Sequence, residues 1–345
     1  MAGLSARFRR WGGWPEHAVH GLWCGLRRPW FGDGASNDES PRVSAGTRLP
    51  GTPLPRCAWR GSAGIGIAAD TWGEPQGQLV VLLHGGGQTR HAWKGTGELL
   101  GAAGYFAVAF DARGHGDSDW AADGSYGQDV MVRDLERVLE TLGKPRPVLV
   151  GASMGGATSL IAVGEGHVDA GALILVDIAP RQDAVGVSKV KSFMAQRPEG
   201  FESLEEVAHA IGKYQPQRSG PRTVDGLAKN VRLGADGRFY WHWDPRLIQT
   251  NPDHTQRVQR REARAQRMEA SARRLTLPTL LVRGGLSDVL SEDGVRQFLE
   301  LCPSSDYVNV TDAGHMVVGD RNDLFGHAVI AFLERVLPAT RGTLP

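Results

Sequence analysis

The nine residues Val148-Leu149-Val150-Gly151-Ala152-Ser153-Met154-Gly155-Gly156 constrain this chain more than any other stretch. They read as a short buried strand that breaks at a glycine, exposes one hydroxyl and resumes through small residues. A serine on so tight a strand-to-helix turn is forced into strained backbone geometry. Glycines two before and two after it remove the side chains that would clash there. The turn lifts Oγ above the sheet edge, and the N-terminus of the following helix turns free N–H groups toward developing negative charge. Gly-x-Ser-x-Gly is also ordinary loop vocabulary in a chain with 46 glycines, so the reading depends on context. Leu160, Ile161 and Val163 supply the apolar side that the next helix needs.

Three further segments follow the same plan. Gln78 to Leu83 reads as a fully buried strand, suited to a sheet covered on both faces, and it enters His84-Gly85-Gly86-Gly87-Gln88-Thr89. Glycines there let backbone N–H groups approach a carbonyl oxygen, so Gly86 and Met154 are the expected oxyanion donors. Thr279 to Gly284 is a strand whose loop ends at Asp288, and Asp306 to Val310 is a strand with His315 just past its end. Serine, aspartate and histidine therefore follow one another, each beyond the C-terminal end of an expected strand.

On these motifs the chain resembles the α/β-hydrolase superfamily, in its group of serine-nucleophile esterases and cofactor-free haloperoxidases with a helical cap. The resemblance runs from about Trp59 to Leu337. It takes in Asp111-Ala112-Arg113-Gly114-His115-Gly116-Asp117-Ser118 and Leu175-Val176-Asp177-Ile178-Ala179-Pro180. It implies an α/β fold, a mostly parallel doubly wound sheet with an inserted helical cap. It also implies a catalytic set of Ser153, Asp288 and His315, because the superfamily normally keeps its acid in the loop that holds Asp288. Asp177 and Asp312 also end strands. Asp177 is read as a support at the cap hinge, and Asp312 as too close to His315 in sequence. Epoxide hydrolases and haloalkane dehalogenases of the superfamily carry aspartate at the elbow. Serine favours acyl transfer, since an acyl ester can be hydrolysed and a serine ether cannot.

The expected organisation is an N-terminal extension (1–56, poorly ordered), a first part of the core (57–180), a cap (181–275), a second part of the core (276–338) and a tail (339–345). The extension mixes arginines and tryptophans without period, as an upstream segment or a basic aromatic arm would. In the cap, Ser203-Leu204-Glu205-Glu206 is a capping box. Trp241, His242 and Trp243 are candidate pocket residues, equally explicable as packing between cap and core. His242 competes with His315 as base, but a cap histidine more often lines a pocket. His84 and His115 are expected to tie loops. The arginines of 257–267 read as a solvated helix face, not a nucleic-acid site.

Composition excludes little more. A net charge of +1 implies no broad field for nucleic acid or membrane. No run approaches the ~20 apolar residues of a spanning helix. Cys24, Cys57 and Cys302 are three, an odd number, and suit free thiols in a cytoplasmic protein. The expected substrate is a small-molecule ester or related acyl compound, with no metal or organic cofactor. Perhydrolysis with halide oxidation, carbon–carbon bond hydrolysis and ligand binding without turnover remain open alternatives.

Overall fold

The computed structural model describes residues 46–214, 224–248, 254–315, 317 and 322–339. Residues 1–45 of the expected extension and 340–345 of the tail lie outside them. Eight strands form one sheet in the order β1-β2-β4-β3-β5-β6-β9-β10. They are β1 (Cys57–Arg60), β2 (Gly66–Trp72), β3 (Leu79–Leu83), β4 (Phe106–Phe110), β5 (Val148–Ala152), β6 (Ala172–Val176), β9 (Thr279–Gly284) and β10 (Asp306–Val310). From β4 to β10 every pairing is parallel; β1 and β2 run antiparallel at one edge.

Burial explains the unbroken apolar runs. Leu79, Val81 and Leu83 face a core layer with Leu135 of α2 (Gln128–Leu142), Leu160 of α3 (Met154–Gly164) and Phe298 of α8 (Glu292–Leu301). Val80 and Leu82 point the other way, to Leu100 of α1 (Lys94–Ala102) and Phe325 and Val329 of α9 (Asn322–Val336). With both faces covered, a strand has no solvent side to mark with polar residues. Helix α2 stops as its sequence implied, with Gly143 left-handed at φ 61°.

Between β6 and β9 lie α4 (Ala184–Ala195), α5 (Leu204–Tyr214), a short turn α6 (Val224–Leu227), the hairpin β7 (Val231–Leu233) and β8 (Phe239–Trp241), and α7 (His254–Arg273). Ser203 Oγ caps α5 by accepting from Glu206 N–H, while the Glu206 carboxylate accepts from Glu202 N–H rather than closing back on Ser203. Arginines of α7 do meet acids: Arg267 pairs with Glu165 and Asp129.

Two expectations change here. The segment before β1 is not loose throughout: Thr47 exchanges backbone hydrogen bonds with Leu233, each 2.8 Å, adding a bridge to β7. Cys57 is disulfide-bonded while Cys302 is a free buried thiol, so the chain does not carry three free cysteines. Among the described residues, no helix is long and apolar enough to cross a membrane.

A buried ionic cluster holds the loops at the strand ends. Arg90, with no exposed surface, meets Asp111 at 2.6 Å, Asp117 at 2.8 Å and Asp70 at 3.0 Å. Burial works against charge on Asp111, yet Arg90 holds its carboxyl below the usual range. For Asp70 burial prevails and the carboxyl is raised. Arg90→Met should leave these carboxylates without their cation and destabilise the fold by about 3–5 kcal/mol. Urea unfolding at pH 7 measures the loss, and a change under 1 kcal/mol would refute the account.

Candidate active site

Register sets the site. Ala152 pairs with Val176, Val176 with Val282, and Gly284 with Val310. Ser153, Asp177, the loop after β9 and the loop carrying His315 therefore emerge on one sheet edge, at strand C-terminal ends.

Ser153 has φ 46° and ψ −106°, outside the ordinary regions for an L-residue. The neighbouring glycines show why. A Cβ on Gly151 would stand 2.5 Å from Gly155 O, one on Gly155 2.4 Å from Leu83 O, and one on Gly156 2.4 Å from Ile178 Cγ2. Helix α3 begins at the next residue, so Met154 N–H is an orphan donor of the first turn. Gly155 N–H is already given to His84 O at 3.1 Å.

The glycine loop after β3 leaves one matching donor. Gly85 N–H donates to Gln88 Oε1 at 2.8 Å and Gly87 N–H to His115 Nε2 at 3.2 Å. Gly86 and Met154 N–H have no partner among the described residues.

His315 Nδ1–H donates to Asp177 Oδ2 at 2.6 Å, with the histidine side chain 8% exposed and the aspartate fully buried. That contact leaves Nε2 with a free lone pair. Asp177, like Ser153, is a non-glycine residue at positive φ, 51°. Its other oxygen accepts from Gly284 N–H at 3.0 Å. Asp288 does not fill the position expected of it. Its side chain is 48% exposed and pairs with Lys189 of α4 at 2.8 Å. The acid beside the histidine thus comes from the end of β6, because the loop after β9 points its aspartate outward to the inserted helix.

Trp241 and Trp243 are buried, and their rings stack at 4.7 Å. Phe193 of α4 lies 5.3 Å from Trp241 and stacks on Tyr214 at 4.2 Å. Phe193 and Tyr214, not the tryptophans, line a cleft of about 800 Å³ beside His315, together with Val185, Ser192, Lys213 and Leu286. The tryptophans form the core of the insertion, and Trp243 approaches the glycine loop: a Cβ on Gly87 would stand 3.6 Å from its ring.

His242 is a tie, not a base. Its Nδ1 accepts from Gly116 N–H at 2.9 Å and its Nε2–H donates to Gly87 O at 3.3 Å. His84 Nε2 accepts from Ala112 N–H at 2.9 Å, and His84 and His115 rings meet edge to face at 5.1 Å. Each of these three histidines accepts a backbone N–H and must be neutral to do so.

Burial keeps them neutral. It presses His115 down to about 3, and lowers His84 and His242 as well. His91 is held at about 3 by burial and then by Arg90. Above about pH 6.5 these groups are neutral in both folded and unfolded chains and contribute no pH dependence. Below it the unfolded chain binds protons that the folded one refuses, so stability falls from about pH 6.5 toward 3. The expected slope between pH 6.5 and 5 is up to ~1.4 kcal/mol per pH unit for each of His91 and His115, ahead of carboxylate titration. Unfolding free energies across that window test this, and a flat profile contradicts it.

The family model described as alpha/beta hydrolase fold matches residues 78–321. Esterase Rv0045c of Mycobacterium tuberculosis is 28% identical over 275 residues, covering 78% of this chain and 86% of the relative. The sn-1-specific diacylglycerol lipase ABHD11 of Mus musculus is 28% identical over 266 residues, covering 74% and 80%. A crystal structure of the mycobacterial esterase matches with TM-score 0.61 and 27% identity over 82% of this chain and 92% of that one. E-2-(acetamidomethylene)succinate hydrolase matches with TM-score 0.67 at 20% identity, over 80% of this chain and 98% of that one, a likeness of fold. With the family model spanning well over half of its length and the sheet order in agreement, the chain belongs to the alpha/beta hydrolase fold family.

Proposed function

We propose that the protein is a serine hydrolase that cleaves a carboxylic ester through an acyl-enzyme on Ser153. The observation that carries this reading is the His315–Asp177 contact, on the sheet edge that also presents Ser153 and two N–H groups with no partner among the described residues. His315 Nε2 takes the proton of Ser153 as Oγ attacks the carbonyl carbon, and Asp177 orients and stabilises the imidazolium. Gly86 and Met154 N–H receive the oxyanion. Collapse of the tetrahedral adduct expels the alcohol, which leaves with the proton from His315. Water, activated by the same nitrogen, then releases the acid and restores the serine.

The inserted helices act as a cap over this centre. Phe193, Tyr214, Val185 and Leu286 give the adjoining cleft an apolar wall, and Ser192 and Lys213 a polar one, which suits an ester with an apolar body of modest size. Relatives named esterase and lipase agree with that class. The test is a 4-nitrophenyl ester series of two to twelve acyl carbons with intact-mass labelling by a fluorophosphonate. One adduct together with turnover of at least one ester is expected. No adduct and no turnover would leave a binding protein on a hydrolase fold.

A further inference from the structure

We infer that Ser287 is a positioning residue that clamps the carboxylate of the hydrogen-bonded His315–Asp177 pair, so that the loop after β9 serves catalysis with a hydroxyl in place of a carboxylate. This rests on the serine-hydrolase reading of the site. Ser287 Oγ–H donates to Asp177 Oδ2 at 2.5 Å, the same oxygen that accepts from His315 Nδ1–H. The Ser287 oxygen in turn accepts from Val289 N–H at 3.1 Å and Leu290 N–H at 3.2 Å. A hydroxyl oxygen has two lone pairs, and both are thereby engaged. Its proton is left one direction to point, at Asp177. The bond is therefore fixed in sense, unlike that of a freely rotating surface serine.

The consequence concerns orientation. Asp177 departs from β6 with positive φ, and its carboxylate could pivot about the last side-chain torsion. Gly284 N–H holds one oxygen and Ser287 the other, so the plane of the carboxylate is set from two sides before His315 meets it. Asp288, one residue on, faces outward to Lys189 as the same turn turns Ser287 inward.

Ser287→Ala should lower kcat for 4-nitrophenyl butyrate about 10- to 100-fold with KM little changed, and slow fluorophosphonate labelling by a similar factor. Ser287→Thr, which keeps the hydroxyl, should recover most of the rate. The decisive comparison is Ser287→Ala made in the Asp177→Asn background. A residue that acts through Asp177 costs less than about twofold there, whereas a merely structural residue costs the same factor in both backgrounds. Equal losses in the two backgrounds, or a Ser287→Ala enzyme as fast as the parent, would overturn the assignment. If alanine loosens the loop enough to lower the melting temperature sharply, Ser287→Cys, of similar size but a poor donor, takes its place. A slow cysteine variant supports the clamp and a fast one refutes it. A parent protein that takes no fluorophosphonate label at all would instead refute the hydrolase reading, upon which this one stands.

Discussion

Ser153→Ala is expected to abolish fluorophosphonate labelling and to reduce ester turnover on the order of a million-fold, with the fold intact. The size follows from the proposed triad acting as a unit: without Oγ, His315 has no proton to take and Asp177 no imidazolium to stabilise. Alanine suits the comparison because the backbone at Ser153 is already strained, at φ 46°, and is held by its surroundings. Ser153 N–H donates to Val176 O and Ser153 O accepts from Ala157 N–H, and neither bond involves the side chain. Thermal melts of the two proteins should therefore agree within a few degrees. Residual turnover within tenfold of the parent would show that another group performs the chemistry.

Asp177→Asn and Asp288→Asn separate the two candidate acids. Asparagine at 177 can offer His315 an amide N–H where a carboxylate oxygen stood, which favours the wrong tautomer and leaves the imidazolium unstabilised. A loss of about ten-thousand-fold in kcat is expected. Asp288→Asn removes an exposed partner of Lys189, a surface ion pair of the kind that contributes at most about 1 kcal/mol, and turnover should change by less than a few-fold. The opposite ranking would return the acid to the loop after β9. Both variants should be compared at several pH values, since a rescue of Asp177→Asn at high pH would report the tautomer.

The reach of the sequence differs from residue to residue. Fold and elbow were legible because their causes are local. A serine between glycines after an apolar run has few conformations open to it, and runs such as Leu79 to Leu83 are apolar throughout because both faces of a central strand are covered. That Gly86 N–H stands without a partner among the described residues has its cause in what occupies its neighbours: Gln88 takes Gly85 N–H and His115 takes Gly87 N–H.

Which aspartate meets His315 was not legible. Asp177, Asp288 and Asp312 each follow a strand, and no local pattern ranks them except family habit. What ranks them is the direction each side chain takes on leaving its strand. Asp177 turns into the sheet edge through a positive φ and is met by Gly284 N–H, Ser287 and His315, partners that lie 107, 110 and 138 residues away. The aromatic cluster shows the same limit. Gly-Arg-Phe-Tyr-Trp-His-Trp announces burial, but the sequence does not say against what. In the fold Trp241 and Trp243 fill the insertion, while Phe193 and Tyr214, from two other helices, line the cleft. His242 bonds to Gly116 across 126 residues, a tie no periodicity could announce.

By itself, then, the sequence determined the sheet, the strained serine turn and the glycine loop, since these follow from steric limits and burial acting over a few neighbouring residues. Tertiary structure alone decided which carboxylate meets His315, which aromatics line the cleft and which histidines must stay neutral. Those outcomes depend on strand register and side-chain direction, and on a desolvation that exists only once distant segments are packed together.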